Sequence, residues 1–204
     1  MSTVQAFSTR GTVGHLEGLA HVPKHTPVAL ALVCHPLPTM GGTMENKVAF
    51  TLAKTFAELS CVALRFNFRG VGNSEGAFTG GDGEVEDVLA VADFAREQFG
   101  ELPLILSGFS FGGYVAARAA HRLQPRHLIL AAPAVGRFAM PPVPSDTLVI
   151  HGELDEVVPL ADVLAWARPL HLPLVVLPQA EHFFHGRLTQ LRDLVKKHFN
   201  GVAL

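Results

Sequence analysis

Short, unbroken apolar runs alternate with longer amphipathic stretches along most of this chain. Residues 28–34 (VALALVC), 61–68 (CVALRFNF), 104–109, 127–132, 147–151 and 174–177 are runs of strand length. Their β-branched and leucine content and their flanking turn residues mark them as buried strands. Residues 47–59, 83–99, 111–123, 160–167 and 187–199 fall between or after them and repeat their apolar positions at helical spacing. Apolar strands separated by helices predict an α/β fold with a mostly parallel central sheet and helices on both faces. Residues 5–21 are more polar and carry Gly11, Gly14 and Gly18. That stretch reads as an antiparallel hairpin at the edge of the sheet.

The 204 residues contain no internal repeat and no linker-like segment, so one domain spanning 1–204 is expected. The formal net charge is −2, which gives no broad basic field for nucleic acid or anionic lipid. No apolar run approaches bilayer length, and the first residues lack the pattern of a secretory leader. Cys34 and Cys61 sit inside strand-like runs and read as buried free thiols. A cytoplasmic protein without nucleic-acid or membrane partners is the expectation. An exposed edge strand is also a surface on which a second copy can pair.

The candidate chemistry centres on Gly108-Phe109-Ser110-Phe111-Gly112, which follows one apolar run and opens an alanine-rich helix. Strand, sharp turn with a central serine, helix is the context of a nucleophile elbow. A serine on such a turn is strained, and neighbours without side chains let strand and helix close. The bland alternative is a serine that merely caps the helix.

A serine nucleophile needs a base, and the base needs a carboxylate to orient it. Asp155 follows the 147–151 run and is the best-placed acid, with Glu153 and Glu156 as competitors. His182 and His185 both follow the last apolar run, and spacing alone does not separate them. Of the other histidines, His21, His25, His121, His127, His171 and His198 read as surface residues. His15 reads as exposed on the edge hairpin, and His35 and His151 as loop braces at strand ends. No pair of histidines has helix-face spacing together with a carboxylate that would suggest a metal site.

An acyl-transfer site also needs donors for the oxyanion. The backbone N–H of Phe111, next after the serine at a helix N-terminus, supplies one. In His35-Pro36-Leu37-Pro38 the prolines have no N–H, which leaves Leu37 as the second donor, unless the prolines merely shape a turn. Gly41 and Gly42 let that loop fold closely. The segment from Arg65 to Gly76 is also glycine-rich but lacks the spacing of a phosphate cradle, so it reads as a structural loop in which Arg69 pairs with an acidic residue. Met40, Phe109, Phe111, Phe138, Met140 and Phe183 are candidates for a shallow apolar pocket or for core.

The order Ser110, Asp155, His182 and the elbow resemble the α/β-hydrolase superfamily, over nearly the whole chain. His35-Pro36-Leu37-Pro38 with Gly41-Gly42-Thr43-Met44-Glu45-Asn46-Lys47, and the run Arg65 to Gly76, resemble a compact, lidless bacterial subgroup of serine hydrolases related to dienelactone hydrolases. That subgroup usually has His-Pro-His-Pro, and here Leu37 replaces the second histidine, a change a backbone donor tolerates. The resemblance implies an α/β-hydrolase fold and a triad of Ser110, Asp155 and His182, and it favours His182 over His185. Dienelactone hydrolases use cysteine as the nucleophile, so their substrate does not carry over. The connection 133–144 is too short for a helical lid, which implies an open site without a deep acyl tunnel.

These readings predict a serine hydrolase that cleaves small carboxylic esters through an acyl-enzyme, with no cofactor or metal. Thioester or amide hydrolysis uses the same machinery. A non-catalytic binding protein on a hydrolase fold is the alternative from another class.

Overall fold

The computed structural model describes residues 2–201. Its strands are β1 (Thr3–Gly11), β2 (Gly14–Val22), β3 (Ala29–Cys34), β4 (Cys61–Phe66), β5 (Leu104–Phe109), β6 (His127–Ala131), β7 (Leu148–Gly152) and β8 (Leu174–Leu177). Its α-helices are α1 (Lys47–Glu58), α2 (Asp82–Phe99), α3 (Phe111–Leu123), α4 (Leu160–Ala167) and α5 (Leu188–His198). The strands form one sheet in the order β1-β2-β4-β3-β5-β6-β7-β8. From β4 to β8 all neighbours pair in parallel. The β1–β2 hairpin adds to β4 antiparallel, with β1 at the edge as its polarity predicts.

The period-two pleat sorts the apolar strands onto two faces. Leu30, Leu32, Leu64, Leu106 and Leu130 pack on one side with Val88 and Val91 of α2 and Val115 and Ala119 of α3. Ala31, Val33, Ala63, Ile105 and Ile129 pack on the other with Leu52 and Phe56 of α1 and Leu191 and Val195 of α5. Covering both faces leaves the central strands no polar side, which is why their sequences are continuously apolar.

Local polar groups fix where elements begin and end. Asn46 caps α1, its side-chain oxygen accepting from the N–H groups of Val48 and Ala49. Buried Glu84 reaches back from the first turn of α2 to the N–H of Gly81, 2.6 Å away, and to Thr79. β4 stops two residues short of the apolar run, because the Asn67 N–H goes to the Glu17 carbonyl and the Phe68 N–H to the His35 ring. Arg69 does pair with an acid: its guanidinium meets Asp87 of α2 at 2.7 Å, both side chains buried, and also reaches Thr12 in the hairpin turn. The glycine-rich loop after β4 is thereby tied to α2 and to the sheet edge.

His21 corrects the reading of it as a surface residue. It is buried on β2 and its Nε2 accepts from Arg65 Nε at 3.2 Å, because Arg65 itself is buried in β4 and needs acceptors. Burial, and then the Arg65 charge, hold the His21 pKa below its ordinary value.

The chain leaves β3 for β4 on one side and returns to β5 on the other. The loops after β3 and β5 therefore diverge at a topological switch point, where an open α/β sheet leaves a crevice. Between β6 and β7 the chain forms no helix, so no helical lid is inserted there over that crevice.

Candidate active site

The turn after β5 is held as the motif requires. Ser110 has φ 55° and ψ −118°, a left-handed conformation that costs a non-glycine residue of order 1–3 kcal/mol. Its N–H donates to the Ala131 carbonyl and its carbonyl accepts from Gly113 and Ala134, so neighbouring backbone enforces the strain. The flanking glycines are needed for space. A Cβ on Gly108 would lie 2.1 Å from the Gly112 carbonyl oxygen, and one on Gly112 would lie 2.2 Å from that of Cys34.

The structure brings Ser110, His182 and Asp155 together from three separate loops. His182 Nε2 lies 3.0 Å from Ser110 Oγ, and Nδ1 lies 2.7 Å from Asp155 Oδ2. All three side chains are buried, with Ser110 8% exposed at the cleft floor. The rings of Phe109 and Phe183 flank the imidazole at 5.0 and 5.1 Å. Asp155 Oδ1 accepts from the N–H groups of Val157 and Val158 at 2.9 and 2.7 Å. Burial pushes the Asp155 carboxyl upward, but the His182 and Val158 hydrogen bonds and the nearby histidines outweigh it and leave it below the usual carboxylate range.

The competitors are placed elsewhere. His185 is exposed and pairs with Glu181. Glu153 is exposed and accepts from the Gln179 N–H, and Glu156 is exposed. His151 braces a loop as expected: it is fully buried, and its Nε2–H donates to the Val158 carbonyl at 2.9 Å while lying 3.5 Å from Asp155. Burial lowers its pKa, so it is neutral.

His35 braces the loop after β3. Its Nδ1–H donates to the Pro36 carbonyl at 2.7 Å, and its Nε2 accepts from the Phe68 N–H at 3.1 Å. Full burial pushes its pKa down to about 4, so the ring is neutral and its tautomer is set by these two partners. The Pro36–Leu37 peptide is trans, so the Leu37 N–H points away from the carbonyl that His35 holds. Among the described residues, neither the Leu37 nor the Phe111 N–H donates to a protein acceptor, and both residues line the cleft beside Ser110.

The cleft has a volume of about 540 Å³, within the size range of small-molecule sites. Met40, Phe111, Phe138 and Phe183 line it, and Phe111 and Phe138 also pack in the core. Phe109 and Met140 do not line it. Phe109 is fully buried against the His182 ring, and Met140 is packed against the core. Arg137, Asn46, Ala134, Val157 and Val158 also line the cleft and were not singled out from sequence. Only Asn46 has a local signal, its position as a helix cap. The others arrive through tertiary return of the 133–144 and 153–159 loops. Among the described residues, no group of three or more His, Cys, Asp or Glu side chains is arranged to hold a metal ion.

Comparison with known proteins gives relatives of the same fold. Residues 29–145 match the family described as serine aminopeptidase, S33. An uncharacterized protein of Rickettsia prowazekii is 32% identical over 201 residues, covering 91% of this chain and 84% of that protein. A crystal structure from Xanthomonas campestris, described as an α/β serine hydrolase without lid, superposes with a TM-score of 0.92 at 40% identity, covering 96% of this chain and 93% of that one. An α/β serine hydrolase homologue from Coxiella burnetii gives 0.88 at 41% identity, covering 95% and 96%.

Proposed function

The chain belongs to the serine aminopeptidase S33 family and is a lidless α/β serine hydrolase, and from that premise we propose that it cleaves small carboxylic esters through an acyl-enzyme on Ser110. The observation that carries the reading is the hydrogen-bonded line Ser110–His182–Asp155 on the floor of an open cleft. His182 Nε2 takes the Ser110 proton as Oγ attacks the ester carbonyl. The oxyanion is met by the N–H groups of Leu37 and Phe111. As the tetrahedral intermediate collapses, His182 gives its proton to the departing alkoxide. A water then surrenders a proton to His182 and attacks the acyl-enzyme, and Ser110 is regenerated with release of the acid. Asp155, held ionised, keeps Nδ1 protonated and stabilises the imidazolium.

The family's name refers to cleavage beside a free amino terminus, which needs an acidic side chain to receive an ammonium group. No Asp or Glu side chain lines this cleft among the described residues, which supports neutral or anionic esters over N-terminal peptides. Thioesters, with their good leaving groups, fit the same cycle.

The test is intact-protein mass after exposure to a fluorophosphonate, on the wild type and on Ser110→Ala. One adduct on the wild type and none on the variant supports Ser110 as an activated nucleophile. No adduct on folded wild type sinks the reading in favour of a binding protein.

A further inference from the structure

We infer that Arg137 forms a carboxylate site at the edge of the cleft, so that preferred substrates are esters that also carry a free carboxylate. The inference rests on the ester-hydrolase reading and adds a substrate class to it. The cleft is lined chiefly by apolar groups, among them Met40, Phe138, Val157 and Phe183. Arg137 is the one Lys or Arg among the lining residues. Its guanidinium is steered from both sides of the site. The turn that bears it hangs from the Ser110 carbonyl through the Ala134 N–H at 3.2 Å, and the Arg137 N–H in turn donates to the Ala134 carbonyl. Across the cleft, Arg137 Nε donates to the Val157 carbonyl at 3.1 Å, and the Val157 N–H donates to Asp155. The cation thus bridges the loop beside the nucleophile and the loop that carries the acid.

That single bond leaves both terminal nitrogens of Arg137 without a protein partner among the described residues. The Asp162 carboxylate lies beside Gly136, yet among the described residues no hydrogen bond joins it to Arg137. A guanidinium tethered through Nε offers its two terminal nitrogens as a planar fork, which matches the two oxygens of a carboxylate. Arg137 is exposed at the cleft rim, so its attraction for a substrate anion is that of a surface charge and is screened by salt.

The test uses the full chain and two matched ester pairs, with spontaneous hydrolysis subtracted. One pair is 4-nitrophenyl hydrogen adipate and its methyl ester, with the carboxylate on the acyl side. The other is 4-acetoxybenzoate and its methyl ester, with the carboxylate on the alcohol side. In at least one pair the charged member is expected to have the higher kcat/KM, by roughly two- to fivefold at low ionic strength, as an exposed charge-assisted pair provides. That ratio falls toward one in Arg137→Gln, is partly kept in Arg137→Lys, and shrinks as salt is added. A purely structural Arg137 lowers both members of a pair alike and leaves the ratio unmoved. A wild-type ratio at or below one in both pairs, or a preference that survives Arg137→Gln, overturns the inference. The neutral esters isolate the premise: if the wild type cleaves them no faster than Ser110→Ala does, the hydrolase reading fails instead.

Discussion

His35 does not line the cleft, yet its hydrogen bond to the Pro36 carbonyl fixes the peptide that carries the Leu37 N–H, the proposed oxyanion donor. Its two ring nitrogens do separate tasks, one donating to Pro36 and one accepting from Phe68. Substitution can divide them. An asparagine amide nitrogen falls near the position of Nδ1 and can still donate to Pro36, whereas a glutamine oxygen falls near Nε2 and keeps only the Phe68 contact. His35→Gln is therefore expected to lower kcat by roughly 10- to 100-fold with little change in KM, the signature of a lost transition-state donor. His35→Asn recovers much of that loss. Equal kcat in the two variants, measured by steady-state kinetics on one ester, would show that the Pro36 contact does not orient Leu37. The same residue has a pH signature. Its pKa is about 4 in the folded protein against an ordinary 6.5, so the unfolded chain binds the extra proton first as pH falls. Its contribution to stability is complete above 6.5 and is lost between there and about 4, on the order of 3 kcal/mol. Asp155, with its pKa lowered, acts in the same direction but only below the ordinary carboxylate value of 3.8. Urea unfolding of the wild type should weaken from pH 6.5 to pH 4 more steeply than that of His35→Asn. Parallel slopes would mean that the ring is not held neutral.

At the scale of elements, the site depends on how closely α3 is set against the ends of β3 and β5. Gly112 lies in the first turn of α3, and a Cβ there would meet the Cys34 carbonyl oxygen at 2.2 Å and the His35 carbonyl oxygen at 2.5 Å. Both obstacles are backbone of the strand end that leads into the oxyanion loop, so relief requires moving an element. Gly41 makes a useful contrast. Its φ is +78°, but nothing lies within 4 Å of an added Cβ, so only backbone strain opposes a side chain. Gly112→Ala is expected to cost about 3 kcal/mol or more, and Gly41→Ala about 1 kcal/mol. Urea midpoints of the two variants decide it. Comparable losses at both positions would mean that α3 has room to shift and that the close approach is not a constraint.

For the whole molecule, the sequence was legible wherever one physical demand governed a long stretch. Strands buried on both faces must be continuously apolar, so β3 and β5 to β7 could be placed to within one residue at each end, as could edge strand β8, while β4 stops two residues short of its run. The elbow was legible because the backbone approach at Gly108 and Gly112 excludes any side chain. His182 and His185 were inseparable by spacing, since only the turn after β8 decides which ring faces β5. Buried His21 and the cleft position of Arg137 left no local trace, because each depends on residues far along the chain, Arg65 in one case and Val157 in the other.

The connection from β6 to β7 has a consequence for the molecule as a whole. In a lidded hydrolase, an apolar cap must be drawn off the site by an interface before substrate enters, so the rate rises sharply once an ester exceeds its solubility. Here residues 132–147 form no helix, and the 134–138 turn is pinned beside Ser110. Among the described residues, no helical element is inserted between β6 and β7 to cover the cleft. The rate on a sparingly soluble short-chain ester such as tributyrin is therefore expected to follow one hyperbolic curve through the solubility limit, with no upward break. Detergent at its micellar concentration should compete with the substrate for the exposed Met40 and Phe183 at the cleft mouth, which are 82% and 42% accessible, and so slow the reaction. A sudden acceleration at the emulsion boundary would require a closed state in solution, with these apolar rim residues covering Ser110 until an interface removes them.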